Sequence, residues 1–290
     1  MGKRTVWLVA ACFALALLVT VAPLRAAAQS PAGQGPEVCA NCHTETADAF
    51  KKTPHAASQQ GCVGCHGDAK AHIDAGGGKG TIRNFKSLNA SDASKVCETC
   101  HTKGNQKHWD GSMHDSRNVS CVTCHNPHPA GGAVPKALLR KPQFELCTGC
   151  HLQKKAALQR SSHMPLREGK MTCTSCHNPH GTPYPRMLLQ TSVTQNCYSC
   201  HAEKRGPFLW EHAPVRENCM NCHDAHGTVN DFLLKAKQPI LCIQCHNGFA
   251  SGGMGNAHTA RDRYALNQSC MNCHVAIHGS MHPQGNRFKR

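Results

Sequence analysis

The sequence has few aromatic side chains, with 8 Phe, 3 Tyr and 3 Trp among 290 residues. A globular domain of this length normally closes its core around large apolar side chains, and this chain is short of them. Gly and Pro are frequent instead, at 25 and 16 copies. We therefore expect something other than side chains to fill the interior.

Long apolar runs are absent beyond residue 28, so no membrane-spanning helix is predicted there. The first 28 residues differ. A basic start is followed by an apolar stretch over 6–21 and by three alanines at 26–28, directly before Gln29. This arrangement predicts a cleaved export signal over 1–28. An uncleaved membrane anchor is the alternative interpretation of the same stretch.

Acidic residues are also scarce, because 17 Asp and Glu accompany 32 Lys and Arg, a formal charge of +15. Removal of the predicted signal takes away Lys3, Arg4 and Arg25 and no acidic residue, which leaves +12. A basic balance of this size is common in nucleic-acid-binding proteins. Export argues against such a partner, and we predict no nucleic-acid binding.

Cysteine is almost lacking outside one motif, since only Cys12 of the 21 cysteines lies elsewhere. The other twenty form ten copies of Cys-x-x-Cys-His, which we number one to ten. Their cysteines are Cys39, Cys42, Cys62, Cys65, Cys97, Cys100, Cys121, Cys124, Cys147, Cys150, Cys173, Cys176, Cys197, Cys200, Cys219, Cys222, Cys242, Cys245, Cys270 and Cys273. Their histidines are His43, His66, His101, His125, His151, His177, His201, His223, His246 and His274.

The spacing of this motif has a physical reason, because positions i, i+3 and i+4 of a helical turn share one face. Two thiols can then bond the two vinyl groups of a haem while the histidine nitrogen reaches the iron. Cys-x-x-Cys-His is the attachment signature of haem c. Zinc ribbons, thioredoxin-like redox pairs and structural disulfides do not require the histidine. Ten copies therefore predict ten covalently attached haems.

Twelve histidines lie outside the motifs, and ten of them flank the even-numbered motifs, one upstream and one downstream. These ten are His55, His72, His114, His128, His163, His180, His212, His226, His258 and His278. The odd-numbered motifs have no such flanks. The chain is thus predicted to contain five tandem two-haem modules. Their approximate bounds are 29–78, 79–133, 134–185, 186–232 and 233–290.

The ten flanking histidines match the ten haems in number, so each is a candidate for the second axial ligand of an iron. A histidine three places after a motif histidine, such as His128, cannot easily cross to the far face of its own haem, so we expect it to ligate a neighbouring one. His72 and His278 have irregular offsets. His108 and His282 are surplus and are expected at the surface or beside a ligand.

Methionine is the alternative axial ligand, and Met113 and Met164 adjoin candidate histidines. The supply of histidines favours bis-histidine ligation throughout. Each haem also brings two propionates, so ten haems contribute roughly −10 when ferric and roughly −20 when ferrous. The basic residues are therefore interpreted as propionate partners and solvated surface.

Several strings resemble the MtrA/DmsE family of periplasmic decahaem cytochromes. They are the segment 108–114, the Cys-His-Asn-Pro-His blocks at 124–128 and 176–180, and the segment 277–283. The resemblance covers the mature chain. It implies an elongated bis-histidine haem wire inside an outer-membrane β-barrel, linking an inner-membrane or periplasmic cytochrome to an extracellular cytochrome or reductase.

The predicted fold is an elongated, haem-packed array of short helices and loops with almost no β-sheet. The predicted function is electron transfer without chemistry on a bound substrate, in the periplasm and associated with the outer membrane. A multihaem reductase is the first alternative, but every motif ends in histidine and the second ligands are complete, which leaves no open iron. A soluble periplasmic electron shuttle is the second alternative.

Overall fold

The computed structural model describes residues 34–129, 131, 133–246, 268–283 and 285–289. The predicted export signal, Cys12 and His258 lie outside these residues.

Short α-helices, none longer than nine residues within the described ranges, form the framework of the molecule. They are α1 (Pro36–Ala40), α2 (Thr44–Lys51), α3 (Val63–His66), α4 (Lys70–Asp74), α5 (Ala90–Glu98), α6 (Cys121–Cys124), α7 (Gln143–Thr148), α8 (Leu152–Leu158), α9 (Val193–Tyr198), α10 (Ala213–Glu217) and α11 (Ile240–Ile243). None of the helices in the described residues is long and apolar enough to cross a membrane.

Single 3₁₀ turns alternate with these helices. They are Pro54–Ala57, Gly104–Gln106, Asp115–Arg117, Lys136–Leu138, Cys173–Ser175, Pro185–Met187, Ala202–Lys204, Cys219–Asn221, Asp231–Leu233, Cys270–Asn272 and Gly285–Arg287. Extended pairing in the described part of the chain is limited to isolated bridges, such as His177 with Leu188. The expectation of short helices and loops with almost no β-sheet is confirmed.

Local sequence explains where the helices begin. Asn89 caps α5 by accepting a hydrogen bond from the backbone N–H of Asp92 at 2.8 Å. Ser192 caps α9 in the same way, accepting from Gln195 at 3.1 Å. Both helices carry the first cysteine of an odd-numbered motif in their last turn. The caps therefore orient the turn that carries the motif.

The side-chain core is small, as the composition predicts. In the described ranges the buried apolar side chains are Ala47, Ala49, Ala69, Ala93, Trp109, Leu138, Leu158 and Leu188. Half of these are alanines, so they fill little volume. The protein therefore relies on other groups to fill its interior.

Backbone segments that are distant in the sequence approach each other closely at two glycines. Gly227 has φ +136, and a Cβ atom there would collide with the carbonyl oxygen of Ala157. Beside it, Ser162 and Thr228 exchange backbone hydrogen bonds of 3.1 and 2.8 Å. Gly181 makes the equivalent approach to the His108 carbonyl. Only glycine combines this backbone angle with this proximity.

Candidate haem-binding site

All ten motifs adopt the same local geometry. In each, the histidine N–H donates to the carbonyl of the first cysteine over 2.9–3.1 Å, closing one helical turn. That turn places the two thiols and the imidazole on one face. The local geometry thus has the arrangement that two thioether bonds and one iron ligand require.

The odd and even motifs differ in how the fold supports them. The first cysteine of an odd motif lies in or near the last turn of an α-helix, as Cys97 does in α5 and Cys147 in α7. The first cysteine of an even motif instead lies at the start of a short helix or 3₁₀ turn, as Cys121 and Cys173 do. The two motifs of a module therefore approach each other from opposite helix ends.

Cysteines join the two motifs of each module. The first cysteines of the paired motifs lie close enough for their thiols to affect each other's pKa in Cys39–Cys62, Cys97–Cys121, Cys147–Cys173, Cys197–Cys219 and Cys242–Cys270. In the second of the predicted modules, the neighbouring Cys121 thiol and burial raise the pKa of Cys97, whereas the Cys97 thiol lowers the pKa of Cys121. The two attachment points of one predicted module thus lie close together.

The second cysteines make the corresponding approach between modules. Burial and the nearby Cys100 raise the pKa of Cys65, and burial and the nearby Cys150 raise that of Cys124. The same holds for Cys176 beside Cys200 and for Cys222 beside Cys245. First cysteines are neighbours within a predicted module and second cysteines are neighbours between modules, so each motif lies near the next one along the chain.

The structure brings motif histidines and flanking histidines together in pairs. Among the described residues, eight pairs have ring centroids 5.9–6.4 Å apart. The pairs are His43 with His72, His66 with His128, His101 with His55, His125 with His180, His151 with His114, His177 with His226, His223 with His278 and His246 with His212.

This distance fits one metal ion between two imidazoles. A histidine–metal bond is about 2 Å long, and the ring centroid lies roughly 1 Å behind the bonding nitrogen, so two ligands place their centroids about 6 Å apart. Six pairs are within 15–19° of parallel, while His114–His151 is tilted by 57° and His55–His101 by 80°. The paired residues therefore fit the axial positions of a haem iron.

Seven of the eight pairs join residues of successive predicted modules, and His43 with His72 lies within one predicted module. A downstream histidine faces the even motif of the module before it, as His180 faces His125. An upstream histidine faces the odd motif of the module after it, as His114 faces His151. Both kinds of pair therefore link one predicted module to the next.

His163 does not follow this pattern. Its Nδ1 lies 2.7 Å from the carbonyl oxygen of Arg160, and its Nε2 lies 3.1 Å from a Glu168 carboxylate oxygen and 3.0 Å from the Arg167 guanidinium. Within the described ranges no imidazole ring lies opposite His201, whose Nδ1 is 3.5 Å from Glu203.

In motifs four, six and eight, the residue after the motif histidine positions the flanking histidine downstream. The side chains of Asn126, Asn178 and Asp224 accept the backbone N–H of the residue two places on, over 3.1–3.3 Å. This short turn points His128, His180 and His226 away from their own motifs. No role was predicted for Asn126, Asn178 or Asp224, although an Asn or Asp directly after the motif histidine recurs in motifs four, six and eight.

The surplus histidines lie at the surface. His108 and His282 are both exposed, and the His282 carbonyl accepts the indole N–H of Trp210 at 2.9 Å. Met113, one alternative ligand, is 56% exposed. Trp109 is buried against the His180 ring at a centroid distance of 6.3 Å, a contact that sequence analysis missed.

Comparison with known proteins decides the family. A multihaem cytochrome named MtrA from Shewanella baltica (strain OS185) is 41% identical over 278 residues, spanning 89% of this chain and 82% of the relative. The chain belongs to the MtrA family of multihaem c-type cytochromes. The resemblance seen in the sequence is thereby confirmed.

Two further family matches agree with membership of the MtrA family. The doubled CXXCH motif matches residues 163–206 and 212–251, and the family of NrfB-like c-type cytochrome proteins matches 62–150. This MtrA-family protein therefore binds haem c covalently through its Cys-x-x-Cys-His motifs and functions in electron transfer with partner proteins.

Proposed function

We propose that this protein carries ten haems in one bis-histidine row and conducts electrons along it through an outer-membrane β-barrel. The observation that carries the proposal is the set of histidine pairs between successive modules, together with the row of cysteine contacts. Through these pairs and cysteine contacts, each motif is the neighbour of the next motif along the chain. The five two-haem modules are part of the proposal.

The axial ligands follow from the pairs. Each of the eight pairs supplies both ligands of one iron, the motif histidine on one face and the flanking histidine on the other. Two motif histidines and two flanking histidines remain. By the rule that an upstream histidine serves the next odd motif, we assign His163 to the iron of His201. His258 is then assigned to the iron of His274.

The residues of the chain hold the cofactor rather than react with it. The two cysteines of each motif would hold the porphyrin covalently, and the two imidazoles of each pair would bind its iron. When bound, haem c supplies the iron that gains and loses one electron. With both axial positions taken by histidine, no iron is open to a substrate, and we infer that the protein is not an enzyme.

Location and partners rest on different observations. The predicted signal at 1–28 and the attachment of haem c support a periplasmic protein. Membership of the MtrA family supports a barrel partner. Such a barrel would shield this loop-rich chain from lipid, where unpaired backbone groups are costly. An inner-membrane or periplasmic cytochrome would exchange electrons at one end, and an extracellular cytochrome or reductase at the other.

The deciding experiment reconstitutes the conduit. We expect the native protein to copurify one-to-one with an outer-membrane barrel in detergent. Liposomes containing that complex should pass electrons from external dithionite to a viologen dye trapped inside, and liposomes with the barrel alone should not. Release by osmotic shock, with no barrel bound, would overturn the conduit and favour a soluble shuttle. Turnover of nitrite or tetrathionate would favour a reductase.

A further inference from the structure

The motif histidines of the five even-numbered motifs share a contact. In each, Nδ1 lies 2.5–3.0 Å from a backbone carbonyl oxygen. The pairs are His66 with Arg83, His125 with Ala137, His177 with Arg186, His223 with Phe232 and His274 with Arg287. A carbonyl only accepts, so Nδ1 carries the proton and Nε2 is left to bind metal.

Three of these carbonyls are presented by strained turns. Residues 137–138, 186–187 and 232–233 are non-glycine pairs in the left-handed region, with φ between 54 and 60. Consecutive non-glycine residues rarely adopt this conformation, and such strain persists only where the surroundings impose it. In each turn the second residue's carbonyl accepts the N–H of the residue after the motif histidine, over 2.8–2.9 Å. The strained pair thus positions two consecutive carbonyls.

The odd-numbered motifs lack this support. Within the described residues, His43, His101, His151 and His246 make no Nδ1 hydrogen bond to a backbone carbonyl. The ring that faces His101 is His55, whose buried Nδ1 has no hydrogen-bond partner among the described residues. In the pair of motif three, neither imidazole donates its Nδ1 proton to an acceptor in the described part of the chain.

We propose that these carbonyl contacts set the reduction potentials, so that the even-numbered haems lie at lower potential than the haem of motif three. This inference rests on the proposed axial ligation. An imidazole that donates its Nδ1 proton is a stronger electron donor through Nε2, and a stronger donor stabilises ferric over ferrous iron. Ala137, Arg186 and Phe232 are therefore positioning residues that act through their carbonyls.

The order of potentials can be tested by removing single haems from the full-length protein. Cys219→Ala with Cys222→Ala removes the haem of motif eight. Cys97→Ala with Cys100→Ala removes that of motif three. In a spectroscopic redox titration, the first double variant should lose one haem equivalent from the low-potential end. The second should lose one from the high-potential end. The reverse order, or loss from the same part of the curve, overturns the inference.

The cause is tested at Phe232, which is 82% exposed, so its side chain contributes little packing. Phe232→Pro cannot adopt a φ of +58 and should withdraw the carbonyl from His223, moving one haem equivalent to higher potential. Phe232→Gly adopts that φ without strain and serves as the rescue variant, with the parent titration curve. Equal curves for the proline and glycine variants contradict the role of the turn.

The spin state of the iron and the order of the reduction potentials together distinguish a failure of this inference from a failure of the proposed ligation. Low-spin spectra with a full haem complement, but potentials that do not follow this order, would reject the inference and leave the proposed ligation intact. High-spin iron in the parent protein would reject the proposed ligation itself. If Phe232→Pro does not mature, Arg186→Pro against Arg186→Gly repeats the test at His177, and the haem deletions remain decisive.

Discussion

The imidazoles of His66 and His128 lie 6.4 Å apart, centroid to centroid, and 19° from parallel, although the residues belong to successive modules. His128 is only three residues from His125 in its own motif, yet it faces away from it. The position of His128 therefore pairs the motif histidine of one predicted module, His66, with a candidate ligand from the next. The same relationship recurs at His125–His180, His177–His226 and His223–His278.

The haem count is the first prediction. The purified mature protein should begin at Gln29 and gain ten haems by mass, roughly 0.6 kDa each, because every motif has the same one-turn geometry. Intact-protein mass spectrometry measures this directly, and a pyridine haemochrome assay gives an independent count. Fewer than nine haems in a fully matured sample would contradict the two-haem modules.

The second prediction concerns His128. We expect His128→Ala to convert one low-spin iron in ten to a high-spin, carbon-monoxide-binding form. That iron should be the one bound by His66. In a background lacking the second haem (Cys62→Ala, Cys65→Ala) the substitution should therefore create no new high-spin iron. In a background lacking the fourth (Cys121→Ala, Cys124→Ala) it should still do so.

His108→Ala is the matched control for this experiment, because His108 is an exposed histidine outside the pairs. Electron paramagnetic resonance of the His108→Ala protein should show only low-spin iron. If His128→Ala opens the iron of its own motif instead, the assignment of ligands across modules is wrong.

The third prediction concerns His163, whose Nε2 contacts Glu168 and Arg167. Because an upstream histidine is proposed to serve the next odd-numbered motif, His163 should leave these contacts and bind the iron of motif seven. His163→Ala should then yield one high-spin iron, and the effect should vanish when Cys197 and Cys200 are both alanine. Glu168→Gln weakens only the contact between Glu168 and His163 Nε2 that competes with iron binding, so all irons of this variant should stay low-spin. An entirely low-spin His163→Ala protein would show that another group ligates this iron.

The fourth prediction concerns the junction of the third and fourth modules. Gly227→Ala forces a Cβ atom into the Ala157 carbonyl at a φ of +136. We expect it to lower the free energy of unfolding by about 2 kcal/mol or more, through strain and displaced backbone. Gly169→Ala, with φ +68 and nothing within 4 Å of the new Cβ, should cost only about 1 kcal/mol.

Thermal unfolding followed by circular dichroism would compare these two glycine variants at equal haem content. A Gly169→Ala protein as unstable as Gly227→Ala would show that backbone angle alone, and not the approach of the modules, sets the requirement for glycine.

Much of the fold was predictable because it depends on local features. Ten haem motifs in a chain of this length leave little room for a sheet and predict short helices and loops, and the structure has them. The positions of the strained turns were not predictable. Ala137, Arg186 and Phe232 have no intrinsic preference for the left-handed region, so their sequence carries no signal of a positive φ.

The sequence by itself determined the cofactor chemistry and the ten candidate attachment points, because a Cys-x-x-Cys-His motif is complete within one helical turn. It also supplied the candidate second ligands, His72 and His278 included. Only the tertiary structure decided which histidines face each other, since most of the pairs cross from one module to the next. It also decided which imidazoles donate to a carbonyl, because that contact depends on a backbone turn that folds back from elsewhere in the chain.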